Sequence, residues 1–233
     1  MGDSTTAITP SPEVSARGQV ALRRALGYAL FLHVAWLLAW LLEQYLEHGV
    51  EILSTRESRF AYWTAAKLLL WVFPAVLIMH ASGRTLREAM AFDRVRAILL
   101  WGGLIGVALG LTAFPGKMLA GRPLFPEELG ISFFSAVFVA PVVEEVAFRG
   151  VILDQLAQRY RFAVANIATS ILFVTIHMVG WSFQGVLLQN LMMPIGGAFS
   201  IFLISLLLGY VAHKSRSVAA STLTHMLNNL FSA

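Results

Sequence analysis

The chain of 233 residues contains no cysteine. This absence excludes disulfide bonds, thiolate nucleophiles and cysteine-ligated metal sites, and it leaves the redox compartment undetermined. Charged side chains are also scarce, since only 13% of the residues are Asp, Glu, Lys or Arg, whereas 58% are hydrophobic. With a mean hydropathy of +0.71, this composition is typical of an integral membrane protein.

The formal net charge is +4 and the sequence pI is about 9.8. In a soluble protein such values would favour a nucleic-acid partner. Here the basic residues form short clusters between apolar runs, which is the pattern of loops between membrane spans. The sequence therefore predicts membrane lipid as a partner and argues against nucleic acid.

Seven apolar runs predict an all-α fold, a polytopic membrane bundle of about seven transmembrane helices. The runs cover about residues 25–42, 60–80, 97–115, 131–156, 162–180, 191–212 and 218–232. The first run is too long for a usual signal peptide and lacks a clear cleavage site, so we treat it as a span. We divide the chain into a flexible N-terminal tail (1–20), three N-terminal transmembrane helices (21–130) and a core of about four helices (131–233).

Arginine and lysine predict the orientation of these spans. The basic residues are concentrated in the tail and in the loops after the second, fourth and sixth runs, which share one side in an alternating topology. They are Arg17, Arg23, Arg24, Arg84, Arg87, Arg94, Arg96, Arg159, Arg161, Lys214 and Arg216. We therefore expect a cytoplasmic N-terminus and a C-terminus outside.

Small residues mark two structural features. Gly102, Gly106 and Gly110 recur every four residues in the third run, and such a ridge lets a neighbouring helix approach closely. The stretch from Pro194 to Gly197 is predicted to bend or start the sixth span.

The stretch from residue 141 to residue 150 places charges in an otherwise apolar segment, where they are costly and usually functional. On a helix, Glu145 and Arg149 are four residues apart and can pair, while Glu144 points about 100° away around the axis. One carboxylate is thereby held and the other is free to react. Pro141 removes one backbone hydrogen bond and predicts a local distortion beside the two acids.

Two further runs carry polar side chains at helical spacing. Phe173 and His177 are one turn apart in the fifth run, and His225 and Asn229 are one turn apart in the seventh, with Asn228 as a neighbour. A carboxylate and an imidazole can activate water. A second imidazole and a carboxamide can stabilise an oxyanion. Together these groups suffice to hydrolyse an amide bond.

Other interpretations of these residues stay open. Two His and a Glu can ligate zinc, but the His-Glu-x-x-His helix of zinc proteases is absent; we expect no cofactor without excluding a metal. His33 is interpreted as a satisfied interior residue. Lys67 is interpreted as a snorkelling side chain or a helix contact, and we assign it no role.

In sequence order, Glu144-Glu145-x-x-x-Arg149, Phe173-x-x-x-His177 and His225-x-x-x-Asn229 resemble the signature of one membrane family. This is the CAAX protease and bacteriocin-processing (CPBP or ABI) family of glutamic-type intramembrane proteases, which includes the Ras-converting CAAX endopeptidases. The resemblance covers about residues 131–232 and implies a cavity that opens within the membrane.

By this resemblance Glu144 and His177 would activate the hydrolytic water, His225 and Asn229 would form the oxyanion site, and Glu145, Arg149 and Phe173 would support it. The implied function is hydrolysis of a peptide bond near the membrane end of a protein or peptide, of the CAAX or C-terminal sorting-tail type. Such a substrate could be membrane-anchored or lipidated. The loops fit a prokaryotic plasma membrane.

Two rival functions remain at this stage. A non-catalytic immunity or scaffold protein would use the same cavity to bind a partner. A proton-coupled transporter would use Glu144 and His177 as a relay, although the sequence shows no inverted repeat.

Overall fold

The computed structural model describes residues 12–119, 121–126 and 129–233. We number its helices α1–α9. They are α1 (Pro12–His48), α2 (Arg56–Ala81), α3 (Leu86–Met90), α4 (Val95–Leu119), α5 (Ile131–Ala157), α6 (Phe162–Phe183), α7 (Leu187–Met192), α8 (Ala198–Ser215) and α9 (Val218–Ser232). No strand occurs among the described residues, so the predicted all-α fold is confirmed.

Six of these helices, α1, α2, α4, α5, α6 and α8, are long and apolar enough to cross a membrane. Helix α9 has 15 residues and a length of about 22 Å, which is shorter than the roughly 30 Å hydrocarbon core. Its first half is largely buried inside the protein. The predicted polytopic bundle is therefore confirmed.

Two predicted boundaries shift. Helix α1 begins at Pro12, so residues 12–20 of the predicted tail are helical, while residues 1–11 lie outside the described part. Helix α8 begins at Ala198, directly after Gly197, so the Pro194–Gly197 stretch starts the sixth span. Gly197 allows a close approach there, because a Cβ atom would lie 2.3 Å from the Asn190 carbonyl oxygen.

Helix α1 is tied to both halves of the chain by hydrogen bonds. The Tyr28 hydroxyl donates a hydrogen bond to the Trp71 carbonyl of α2 at 2.6 Å. On another face, His33 Nε2 lies 2.9 Å from the Thr175 hydroxyl of α6, and His33 Nδ1 lies 2.7 Å from the Ala29 carbonyl. Both ring nitrogens of His33 are thus satisfied, as the sequence predicts.

Helix α4 packs closely against α9 along the glycine ridge. A Cβ atom on Gly102 would lie 2.6 Å from the Ala220 carbonyl oxygen, and one on Gly106 would lie 3.0 Å from Thr224 Cα. The Thr224 hydroxyl also donates a hydrogen bond to the Gly102 carbonyl at 3.1 Å. The contact requires small residues on α4, and it fixes the part of α9 that carries the polar residues.

A capping box begins the short helix α3 in the loop between α2 and α4. The Thr85 hydroxyl accepts a hydrogen bond from the Glu88 backbone N–H at 3.2 Å, and the Glu88 carboxylate accepts one from the Thr85 backbone N–H at 2.7 Å. These hydrogen bonds from Thr85 stabilise the ionised carboxylate and lower the pKa of Glu88.

Candidate active site

The two neighbouring glutamates of α5 have different surroundings. Glu145 is completely buried, whereas the Glu144 side chain retains 13% exposure and lines a cavity. Successive helical residues point about 100° apart, which produces this separation. The predicted pairing of Glu145 with Arg149 is confirmed, and the reactivity of Glu144 stays a prediction.

Glu145 forms a buried ion pair with Arg149. Their side chains are 3.0 Å apart and both are fully inaccessible to solvent. A second guanidinium nitrogen of Arg149 donates hydrogen bonds to the Ser205 carbonyl at 2.9 Å and to its hydroxyl at 2.8 Å. The guanidinium also lies 4.8 Å from the centre of the Phe173 ring, a cation–π contact. The pair is thus fixed to α6 and α8.

His225 of α9 lies between the two glutamates. Its Nδ1 atom is 3.0 Å from Glu145 Oε1, and its Nε2 atom is 3.9 Å from Glu144 Oε2. Because an ionised carboxylate only accepts hydrogen bonds, Nδ1 carries a proton. Nε2 then faces Glu144 and can donate to an anion when it is protonated.

His177 of α6 is oriented by its own helix. Its Nδ1 atom lies 2.6 Å from the Phe173 carbonyl oxygen, which can only accept, so Nδ1 is the donor and Nε2 of the neutral ring is a free acceptor. The Phe173 ring lies 4.7 Å from the His177 ring and 6.1 Å from the His225 ring. Phe173 therefore packs near both imidazoles.

Glu144 and His177 line one cavity of about 170 Å³. At about 30 Å³ for each molecule in the liquid, the space accommodates several waters. Half of its other lining residues are tryptophans. The full lining is Trp36, Trp40, Lys67, Trp71, Glu144, Ile176, His177, Gly180, Trp181 and Gln184. The arrangement places an accessible carboxylate and an imidazole around a small space within the bundle.

Asn229 does not line this cavity, and neither does His225. The Asn229 amide instead donates a hydrogen bond to the Ala136 carbonyl of α5 at 2.9 Å. Residues Ser135–Val139 are π-helical, and the Ala140 N–H bonds to the Ser135 carbonyl. In this register the Ala136 carbonyl would pair with residue 141, which is proline and has no N–H. Asn229 supplies the missing donor, and the predicted distortion near Pro141 is thereby accounted for.

Among the residues in the described ranges, no group of three His, Cys, Asp or Glu side chains is arranged to hold a metal ion. His177 and His225 lie on separate helices, and their Nδ1 atoms are directed at Phe173 and Glu145. The ring nitrogens that remain, both Nε2 atoms, are the ones available for chemistry.

Sequence reasoning missed the part of the site that comes from the first half of the chain. Trp36 and Trp40 of α1 and Lys67 and Trp71 of α2 line the cavity beside Glu144. Lys67 carried a signal, because it is a lone cation in an apolar run. The tryptophans did not, since aromatic residues in a membrane helix usually pack without a chemical role.

Comparison with known proteins identifies one similar family. No curated protein and no solved structure matches the chain. A family model does match, over residues 126–231, and its description is Type II CAAX prenyl endopeptidase Rce1-like. The matched part contains every residue of the predicted signature, from Glu144 to Asn229. The family match and the six apolar helices support a membrane protease of the CAAX type that acts on a protein or peptide. Over residues 126–231, the chain is therefore similar to the Rce1-like type II CAAX prenyl endopeptidases.

Proposed function

We propose that the protein is an intramembrane endopeptidase that hydrolyses a peptide bond near the membrane end of its substrate, using water activated by Glu144 and His177. The observation that carries this proposal is the shared cavity, in which an accessible carboxylate and an imidazole with a free Nε2 atom surround space for water. Such a pair can remove a proton from water as it attacks a carbonyl carbon.

The remaining polar groups have supporting roles in this proposal. Glu145 and Arg149 hold each other and fix the His225 ring through Nδ1. A protonated Nε2 of His225 would then stabilise the oxyanion that forms on the carbonyl oxygen. The carbon–nitrogen bond breaks as the leaving amine takes up the proton that was removed from water.

Asn229 would donate the second hydrogen bond to the oxyanion. Its amide has two N–H groups, and one of them bonds to the Ala136 carbonyl. The other remains for the substrate, and Ala136 fixes the plane of the amide. Replacement of Asn229 by alanine is expected to lower kcat by about 10²–10³-fold, the cost of losing one oxyanion donor.

The test is a cleavage assay with membrane-anchored candidate substrates taken from the gene's neighbourhood. Each candidate is co-expressed with the wild type, with Glu144→Gln and with Glu57→Gln, a control that changes an exposed glutamate outside the site. Product mass should locate one cut with the wild type and the control, and Glu144→Gln should lower its rate by about 10²–10⁴-fold. Undiminished cleavage by Glu144→Gln would overturn the mechanism.

The proposal places the protein in a prokaryotic plasma membrane with its N-terminus in the cytoplasm and its C-terminus outside. Because the natural chain has no cysteine, single cysteines can report the orientation. Glu51→Cys between α1 and α2 should react with a membrane-impermeant maleimide added to intact cells. Arg94→Cys between α2 and α4 should react only after the cells are opened. The reverse pattern would invert the orientation.

A further inference from the structure

Lys67 lies deep within a membrane-spanning helix, where it lines the same cavity as Glu144 but forms no hydrogen bond or ion pair with any residue that the structure describes. It follows Arg56, the start of α2, by eleven residues, a distance of about 16 Å along the axis, and Ala81 ends the helix on the other side. Among the described ranges, no carboxylate lies within ion-pair distance of Lys67. A lysine side chain is much shorter than either path to the membrane surface, so snorkelling does not account for it.

Lys67 lies where two cavities meet. One is the cavity that contains Glu144 and His177. The other is a groove of about 550 Å³ between α2 and the first half of α5. Its lining is Arg56, Arg59, Phe60, Trp63, Lys67, Ile131, Ser132, Ser135, Ala136 and Ala140. The α2 residues follow helical spacing along one face. This lining contains three cations and no acidic residue, so the groove is suited to an anionic occupant.

We propose that Lys67 binds the C-terminal carboxylate of the short segment that the cut releases. This inference rests on the proposed function, in which the scissile bond lies beside Glu144 and His177. A cut near the end of a chain leaves a tail whose carboxylate must be placed in a low-dielectric region. An unpaired ammonium group at the same depth offsets that cost, and the carboxylate offsets the cost of the lysine.

The other two cations of the groove are less suited to a short tail. Arg59 forms an ion pair with Glu47. Arg56 lies about 16 Å from Lys67 along the helix, whereas three extended residues span only about 10 Å. Lys67 lines both the groove and the cavity of Glu144 and His177, so it is the groove cation beside the scissile position, whereas a tail of about three residues is too short to reach Arg56. In this proposal Lys67 favours substrates whose free C-terminus lies within a few residues of the cut.

The test compares one probe in two forms that differ only at the C-terminus. The probe is a fluorescent peptide that ends in S-farnesyl-Cys-Val-Ile-Met, made as the free acid and as the amide. The protein is purified in nanodiscs. The wild type should cleave the acid with a kcat/KM at least about tenfold above that of the amide, mainly through a lower KM, because a charge-assisted contact is lost in the amide.

Three variants assign that preference to a residue. Lys67→Gln should reduce the ratio of acid to amide to about one, and Lys67→Arg should restore part of it because the charge is kept. Arg56→Gln, the matched control at the outer end of the same groove, should leave the ratio unchanged. The assignment would be overturned if Lys67→Gln kept the wild-type ratio of acid to amide, or if Arg56→Gln lost it.

A binding measurement separates this inference from the proposed function. The Glu144→Gln protein is titrated with both forms of the probe, and fluorescence anisotropy gives Kd without turnover. If the acid binds more tightly than the amide, and the difference disappears in the Glu144→Gln/Lys67→Gln double variant, the role of Lys67 is supported. This result would stand even if the wild type cleaved neither form, and the absence of cleavage would count against the proposed protease function alone. Equal binding of acid and amide, or no binding of either, would overturn the role of Lys67.

Discussion

The two halves of the chain contribute to the candidate site in different ways. Helices α5–α9 carry every residue of the predicted signature and nearly all of the family match. Helices α1 and α2 carry none of that signature, yet they form one wall of the cavity through Trp36, Trp40, Lys67 and Trp71. Under the proposed function, residues 126–231 supply the reacting groups, while the first half of the chain contributes aromatic side chains and one cation to the wall of the cavity.

The substitution with the largest expected effect tests whether the Glu145–Arg149 ion pair stabilises the second half of the chain. Arg149→Met leaves Glu145 as a buried carboxylate that has lost its guanidinium partner. An uncompensated buried charge costs about 3–5 kcal/mol, so the free energy of unfolding should fall by that amount. It can be measured by SDS titration in mixed micelles.

The matched control removes both charges together. The double variant Glu145→Leu/Arg149→Met should recover most of the lost stability, because apolar residues often replace a buried ion pair at little cost. Its cleavage activity should remain low, since the His225 ring loses the partner of Nδ1. If the single variant is as stable as the wild type, the pair does not hold this half together.

The next substitution tests whether the glycine ridge of α4, in the first half of the chain, fixes the position of α9 in the second half. Gly102→Ala places a Cβ atom 2.6 Å from the Ala220 backbone, so α9 must shift, at a cost of about 1–3 kcal/mol. Cleavage should fall as well because His225 moves with α9. Gly103→Ala is the control on the adjacent position, where the nearest atom would be 4.0 Å away. Equal effects of the two substitutions would show that the close contact is not what matters.

A smaller effect tests the polar link between the halves. Thr175→Val removes the hydroxyl beside His33 Nε2, and the expected loss is about 0.6 kcal/mol, the mean for hydrogen bonds between membrane helices. Thr169→Val is the control, because its hydroxyl bonds to the Ala165 carbonyl within α6. The same SDS titration measures both variants, and a larger loss in the control would contradict the link.

The smallest effect concerns the loop between α2 and α4. Hydrogen bonds from Thr85 lower the pKa of Glu88 from its ordinary value of 4.5, so its ionised form stabilises the folded state. That contribution is complete above the unfolded pKa and is lost as the pH falls through the lower folded value. Tm should therefore be lower in Glu88→Gln than in the wild type at pH 7, and the difference should vanish in acid. A difference that persists in acid would indicate a cause other than ionisation.

Much of this structure could be predicted from the sequence because helical periodicity acts locally. Apolar runs identified the spans, the spacing of Glu145 and Arg149 identified their pair, and the glycine ridge identified a close helix contact. The rotation of one helix relative to its neighbours depends on contacts between distant parts of the chain, so the sequence pattern does not predict it. Residues Ser135–Val139 and Val146–Leu153 are π-helical, and each such change of register turns the following residues relative to a regular helix.

The π-helical segments of α5 determine which of its residues face α9, and these are the contacts that the sequence did not predict. His225 contacts Glu145 as well as Glu144, and the Asn229 amide bonds to Ala136. Their roles in catalysis stay predictions. Lys67 was assigned no role because a single span shows only that a lysine is present. Only the packed bundle shows that its neighbours are Glu144 and His177.

The short helix α9 also has a consequence for how the protein is made. Helix α9 has 15 residues, of which several are polar, so it is a poor candidate for independent insertion into a bilayer. The glycine ridge of α4 offers a surface against which α9 can dock. During synthesis α4 precedes α9, so the partner is already in the membrane when α9 arrives. Under the proposed function, His225 and Asn229 would join the polar groups of α5 and α6 only when α9 has docked, so the site would stay incomplete until that step.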